Sequence, residues 1–271
     1  MQVRFPAFDF RSSSPAWGAN REAVAIINAG AIIPPAIERY MIRVMRRARQ
    51  ALDPVADADL LADIDVFNKQ EGQHHKLHAS YLNMLRDGGY PHIVEFEAAF
   101  IADLERFLVA ESLAWNLSYC EGFESQGAAM AEAFVDGHVQ ALCGDEGSVP
   151  MQLWMWHLAE EFEHRSVVHD VLHRLYGPHE AYALRTAGAT FNRSHLAEHT
   201  AVAAAYIYEV DREGMSPAEV EASVARETAA WIGMGEAFGD RLNWVFERDY
   251  DPGTIAAPRD YDAILARYAP A

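Results

Sequence analysis

One short word occurs twice in this chain, a glutamate followed three residues later by a histidine: Glu71-Gly-Gln-His74 and Glu161-Phe-Glu-His164. Each copy lies in a stretch whose apolar residues recur at helical spacing. Residues three apart share a helix face, so each word aims one carboxylate and one imidazole in the same direction. Two such helices turned toward each other hold four metal-binding groups between them. Facing each other in the middle of a bundle, two such helices can bind metal.

The rest of the chain reads as all-α. Residues 1–29 read as an N-terminal arm, irregular through Pro6, the Ser12-Ser13-Ser14-Pro15 cluster and Gly18. Pro34-Pro35 opens a helix, since proline suits the first turn, and this helix runs to about Gln50. A second helix, capped by Asp57 or Asp59, runs to about Arg86 and ends at Gly88-Gly89. The pattern predicts a third helix over 93–125 with a break near Asp103, and another over 128–143. The next, over 150–176, carries the second Glu-x-x-His word and closes at Gly177-Pro178. Helices over 179–210 and 217–248 follow, the latter with Ser216 and Pro217 as N-cap and first residue. No stretch alternates as a strand does. The organisation expected is an arm (1–29), a metal-binding bundle (30–178) and C-terminal helices (179–271) packed on the same domain.

Composition narrows the function. Hydrophobic residues make up 51% of the 271, ample for a large core, and the formal net charge is -18. That charge argues against nucleic acid and against an anionic membrane surface. No apolar run approaches the length of a membrane span. Cys120 and Cys143 are too few for a disulfide framework or a thiolate zinc site. No signal-peptide pattern is seen, and a cytoplasmic location is expected.

A two-metal site needs two more carboxylates at the height of the repeated words. Glu38 and Glu71 each lie about 20 Å from the loop joining their helices, at about 1.5 Å per residue, so they meet in an antiparallel pair. The third helix offers Glu111, set in the apolar run Phe107 to Trp115, where an unpaired charge is costly; Glu121 and Glu124 are alternatives nearer a helix end. His157, Glu161 and His164 fall within roughly 60° on their helix, which makes His157 a seventh candidate ligand. His78, in register with Glu71 and His74, is placed between supporting such a site and simple surface. Glu160 is read as solvated or supporting, and replaces Glu161 if the helix rolls. Carboxylate and imidazole donors suit iron or manganese, with zinc a further option. Arg39, Arg43, Arg46 and Arg47 read as a solvated face, and Trp115, Tyr119, Phe67 and Phe162 as core. His75, His169 and His173 read as ordinary surface or boundary histidines, and His195, Glu198 and His199 as surface or interface with no matching carboxylate helix.

With these residues in hand, the chain resembles ferritin-like di-iron carboxylate proteins, which implies a four-helix bundle core with added C-terminal helices. More narrowly, Trp156-His157-x-x-Glu160-Glu161-x-Glu163-His164, with Gln70-Glu71-x-x-His74-x-x-x-His78 and Pro35-x-x-Glu38, is similar to a bacterial family labelled predicted metal-dependent hydrolase. In ligand order it also resembles the p-aminobenzoate N-oxygenase type of di-iron enzyme. That resemblance implies two iron ions held by Glu38, Glu71, His74, Glu111, His157, Glu161 and His164. A ferritin-like bundle further needs a long crossover between its second and third helices, for which about 88–103 is available.

The activity expected is oxidation of a small organic substrate with dioxygen and an electron donor: hydroxylation, N-oxygenation or desaturation. Two-metal hydrolysis is the alternative, and a non-enzymatic iron-binding bundle the third. The C-terminal half is left to cover the bundle, shape the pocket or form a homodimer interface.

Overall fold

The computed structural model describes residues 1–269, and within them every regular element is helical. Ten α-helices follow one another: α1 (Arg21–Gly30), α2 (Pro34–Arg49), α3 (Ala58–Asp87), α4 (Ile93–Ala110), α5 (Leu113–Val135), α6 (His138–Cys143), α7 (Val149–His164), α8 (Val167–Asp211), α9 (Pro217–Phe238) and α10 (Tyr261–Ala266), with 3₁₀ turns at Gly239–Phe246 and Pro252–Thr254. Among the described residues no helix is long and apolar enough to cross a membrane.

Four helices form the heart of the bundle. α2 packs on α3, α5 packs on α7, and α5 also lies against α2 and along α8. α2 shows how sequence sets position. Ile37, Tyr40, Met41, Val44, Met45 and Ala48 line one buried face, and Arg39, Arg43, Arg46 and Arg47 lie on the exposed one, the amphipathic pattern of a helix covering a core. α5 is different, because it is buried on nearly every side from Asn116 to Val135. Small residues make that possible. A methyl group on Gly188 of α8 would lie 2.0 Å from the Ser118 backbone oxygen of α5, so the two backbones approach as only a glycine allows.

The boundaries depart from expectation in five places, one being the helix expected over 128–143, whose first part belongs to α5 and whose last part is the separate α6. The arm ends at Asn20, whose side chain accepts from the Ala23 N–H and caps α1, a helix buried over most of its length. The segment expected as one helix over 93–125 is two, broken not at Asp103 but at Glu111-Ser112. There Ser112 accepts from the Trp115 N–H at 3.1 Å and starts α5, the N-cap satisfying a donor that an unbroken helix would have bonded. α7 stops at His164, and α8 then runs 45 residues with its regular geometry interrupted at Gly177, beside Pro178. The last long helix stops at Phe238 and tightens into the 3₁₀ turn. The Ser112 break also settles how the chain crosses the bundle. α4 is the connection between α3 and α5, lying on α2 and α8, in place of the short 88–103 link.

Candidate metal centre

Four helices send seven metal-binding side chains to one place: Glu38 from α2, Glu71 and His74 from α3, Glu124 from α5, and His157, Glu161 and His164 from α7. None is more than 2% exposed. Their donor atoms fall into two groups, each within a span of 4.8 Å: Glu38, His74 and His157 in one, Glu71, Glu124, Glu161 and His164 in the other.

Two carboxylates belong to both groups by distance. Glu71 Oε1 lies 3.6 Å from His74 Nδ1 and 3.2 Å from His164 Nε2. Glu161 faces both ways, with Oε1 2.7 Å from His157 Nε2 and Oε2 3.3 Å from His164 Nε2. Glu38 Oε1 lies 3.4 Å from His157 Nε2 on one side, and Glu124 Oε2 lies 3.5 Å from His164 Nε2 on the other. The result is two adjacent candidate donor clusters, with Glu71 and Glu161 within reach of histidines of both.

The protein alone does not satisfy this cluster. Both carboxylate oxygens of Glu38, Glu71 and Glu124, and Nδ1 of His74, are buried without a hydrogen-bond partner. Leaving such groups unpaired costs several kcal/mol each by order of magnitude, about 1–3 for a neutral group and more for a charged one. Burial, with repulsion from neighbouring carboxylates, pushes Glu38 and Glu124 well above the usual carboxylate range and raises Glu71. Burial also works against charge on Glu161, but His164, His157 and His74 hold it well below that range. For His74, burial is outweighed by the carboxylates of Glu160, Glu161 and Glu71, which raise it. Two divalent cations would replace these protons and pair the orphaned oxygens, and a donor set of carboxylate and imidazole without thiolate is what hard to borderline divalent metals take. The residues present therefore fit such a pair.

Each imidazole is held from behind, as metal-bound histidines are. His74 Nε2 donates to Glu160 Oε2 at 3.1 Å, leaving Nδ1 toward the shared carboxylates, and Arg4 Nη1 donates to Glu160 Oε1 at 2.9 Å. His164 Nδ1 donates to Gln70 Oε1 at 3.2 Å, leaving Nε2 inward. Gln70 Nε2 in turn donates to Glu163 Oε2 at 2.7 Å, a carboxylate also gripped by Arg4. His157 Nδ1 meets His78 Nε2 at 2.7 Å. Gly127 on α5 keeps the packing open, since a methyl group there would lie 2.8 Å from Glu161 Oε2.

The structure thus gathers six of the seven expected ligands and sets His78 and Glu160 behind them. Glu111 is not among them. It lies half-buried at the junction of α4 and α5, and Glu124 occupies the place expected for it. The displacement has the same cause as the misplaced helix break: Ser112 starts the third bundle helix one residue after Glu111, so the buried midpoint of that helix falls farther along. His169, read as a boundary residue, is buried against Glu121 at 3.0 Å. Arg4, Gln70 and Gly127 carry roles the sequence reading did not assign. Gln70 and Gly127 are neighbours in sequence of Glu71 and Glu124, a signal of sorts. Arg4 acts on α7 across 156 residues, and no local pattern announces such a contact.

An apolar cavity of about 520 Å³ lies between α1, α5, α7, α8 and α9, and reaches the centre through His157 and Glu161. Ile26, Phe123, Met130 and Trp154 are among its walls. Arg193 lines it as well; its Nε is buried without a partner, while Nη1 holds Asn243 Oδ1 and Nη2 holds the Leu242 carbonyl.

An all-α bundle with two buried candidate metal clusters beside an apolar cavity is the architecture of a metal-dependent protein. The chain belongs to the family described as predicted metal-dependent hydrolase, whose model matches residues 2–256. No curated protein and no solved structure matches the chain.

Proposed function

We propose that this protein is a dinuclear metal enzyme that oxidises a small, largely apolar organic molecule with dioxygen. Glu38, His74 and His157 would hold one cation and Glu124 and His164 the other, with Glu71 and Glu161 lying between the two groups. The observation that carries the reading is the set of buried, unpartnered carboxylates shared between two positions. Iron bound there would supply the redox chemistry of dioxygen activation, with two electrons and two protons drawn from an external donor for each oxygen atom transferred and one water released.

The chain's own part is positioning. Glu160, Gln70 and His78 fix the three imidazoles. The apolar walls exclude water and receive the substrate body. Arg193 places a guanidinium at the cavity wall, beside the room for an acidic group on it.

The family's description favours a second reading, hydrolysis, in which the same two cations activate water. One experiment separates them. Protein reconstituted with iron is expected to consume oxygen in the presence of reductant and to be inactive toward the same substrates without oxygen. Turnover of esters or amides that is unchanged by oxygen removal and supported by zinc would overturn the oxidative reading and establish the hydrolytic one. Protein that takes up no metal would overturn both.

A further inference from the structure

His195 and His199 sit four residues apart on α8, so their rings project from one face. The fold supplies the carboxylate that the sequence reading could not find, because the crossing helix α4 brings Asp103 against them. Asp103 Oδ2 lies 3.2 Å from His195 Nε2 and 3.2 Å from His199 Nε2. The three donor atoms lie within 4.8 Å of one another, at the half-buried surface of the bundle and on helices that contribute nothing to the dinuclear centre.

We propose that Asp103, His195 and His199 form a second, mononuclear site for zinc, which clamps the crossover helix α4 onto α8. Separations of 3.2 Å match the edge of a tetrahedron whose centre lies at a metal–ligand distance of about 2.0–2.1 Å. The supporting contacts are also built. Arg106 holds the other carboxylate oxygen of Asp103 at 2.7 Å, which leaves Oδ2 for the ion. Tyr119, itself buried, meets His195 Nδ1 at 2.7 Å and sets its ring so that Nε2 faces Asp103. Phe100 and Phe107 pack against the imidazoles and limit their rotation. The donor types also suit the ion. Asp103 supplies the carboxylate, and His195 and His199 each turn Nε2 toward it. Two imidazoles and one carboxylate are a donor set zinc accepts.

The competing account is that Asp103 simply accepts an N–H from each histidine, and the test distinguishes the two. Protein with its dinuclear centre already filled with iron is titrated with zinc, and bound zinc and iron are both counted. Wild type is expected to take up about one zinc more per chain than His199→Ala, at unchanged iron content, with Asp103→Asn also losing that zinc. Zinc should raise the melting temperature of wild type and not of either variant. Equal zinc uptake by wild type and both variants, or a melting temperature unmoved by zinc in all three, would overturn the proposal. Loss of iron in His199→Ala would likewise count against it, since the two sites are held to be separate.

Discussion

At the scale of single residues, the centre is defined by what its carboxylates lack. Glu124 has neither oxygen partnered, whereas Glu111 sits half-exposed at a helix junction. Glu124→Ala is therefore expected to lower metal content by about one ion per chain, because a cation needs its full ligand count to bind tightly, while Glu111→Ala leaves it unchanged. Metal analysis of the two purified variants checks this, and equal content in both would remove Glu124 from the set. Gly127 tests the same centre from outside the ligands. The methyl group of Gly127→Ala would press on Glu161 Oε2 at 2.8 Å. The carboxylate that faces both cation positions must then move, and metal affinity should fall by about 10–100-fold, the range seen when supporting residues are changed. Equilibrium competition with a chelator measures it; an unchanged affinity would mean Glu161 is not a ligand.

At the scale of elements, the decisive residue is Ser112. Its hydroxyl caps α5, and Ser112→Ala should cost about 1 kcal/mol of stability, within the usual 0.5–2 for a lost N-cap, read from denaturant unfolding; no change would mean that the α4–α5 break is set by packing. The same residue explains what could be read in advance. The paired words on α3 and α7 were legible because two donors at helical spacing carry their geometry with them. Glu38 was legible because Pro34-Pro35 and Asp53-Pro54 bracket its helix, so its height could be counted. The third carboxylate required the start of α5. The signal for that start is one serine inside the apolar stretch from Phe107 to Trp115, where helical periodicity continues on either side. Once the break is misplaced, the ligand is misplaced with it, and α4 is lost as the crossover. Arg4 and Asp103 were illegible for another reason: each acts on a helix more than 90 residues away, and only the assembled fold brings them there.

At the scale of the whole molecule, acidity and metal compete for one interior. Glu38, Glu71 and Glu124 are raised when folded, as are His74 and His164 against their neighbouring carboxylates. A group raised on folding contributes stability that is fully present below its unfolded value and is lost as pH rises through its folded value. Glu161 is lowered, and burial lowers His78 and brings His157 down to about 4; these three contributions are lost only as pH falls, so they offset part of the trend on the acid side. The metal-free protein should therefore weaken from mildly acid toward neutral and alkaline pH, while cations that displace those protons remove the penalty. The rise in melting temperature on metal loading is expected to be larger at about pH 8 than at about pH 5.5. Parallel pH profiles with and without metal would mean that these carboxylates do not bind it.

The division of donors among α2, α3, α5 and α7 also sets an order in time. Chains emerge from the ribosome N-terminus first, and α2 with α3 can pair as soon as both are made. That hairpin carries Glu38, Glu71 and His74, acidic groups aimed at a face that as yet has no cover. Until α5 and α7 are complete, 48 and 77 residues after the end of α3, water hydrates those carboxylates and no enclosed cavity exists to hold a metal. Closing the interior and discharging it are then one event, in which the nascent chain must take up either protons or cations from the surrounding solution, and the supply of metal at that moment decides which.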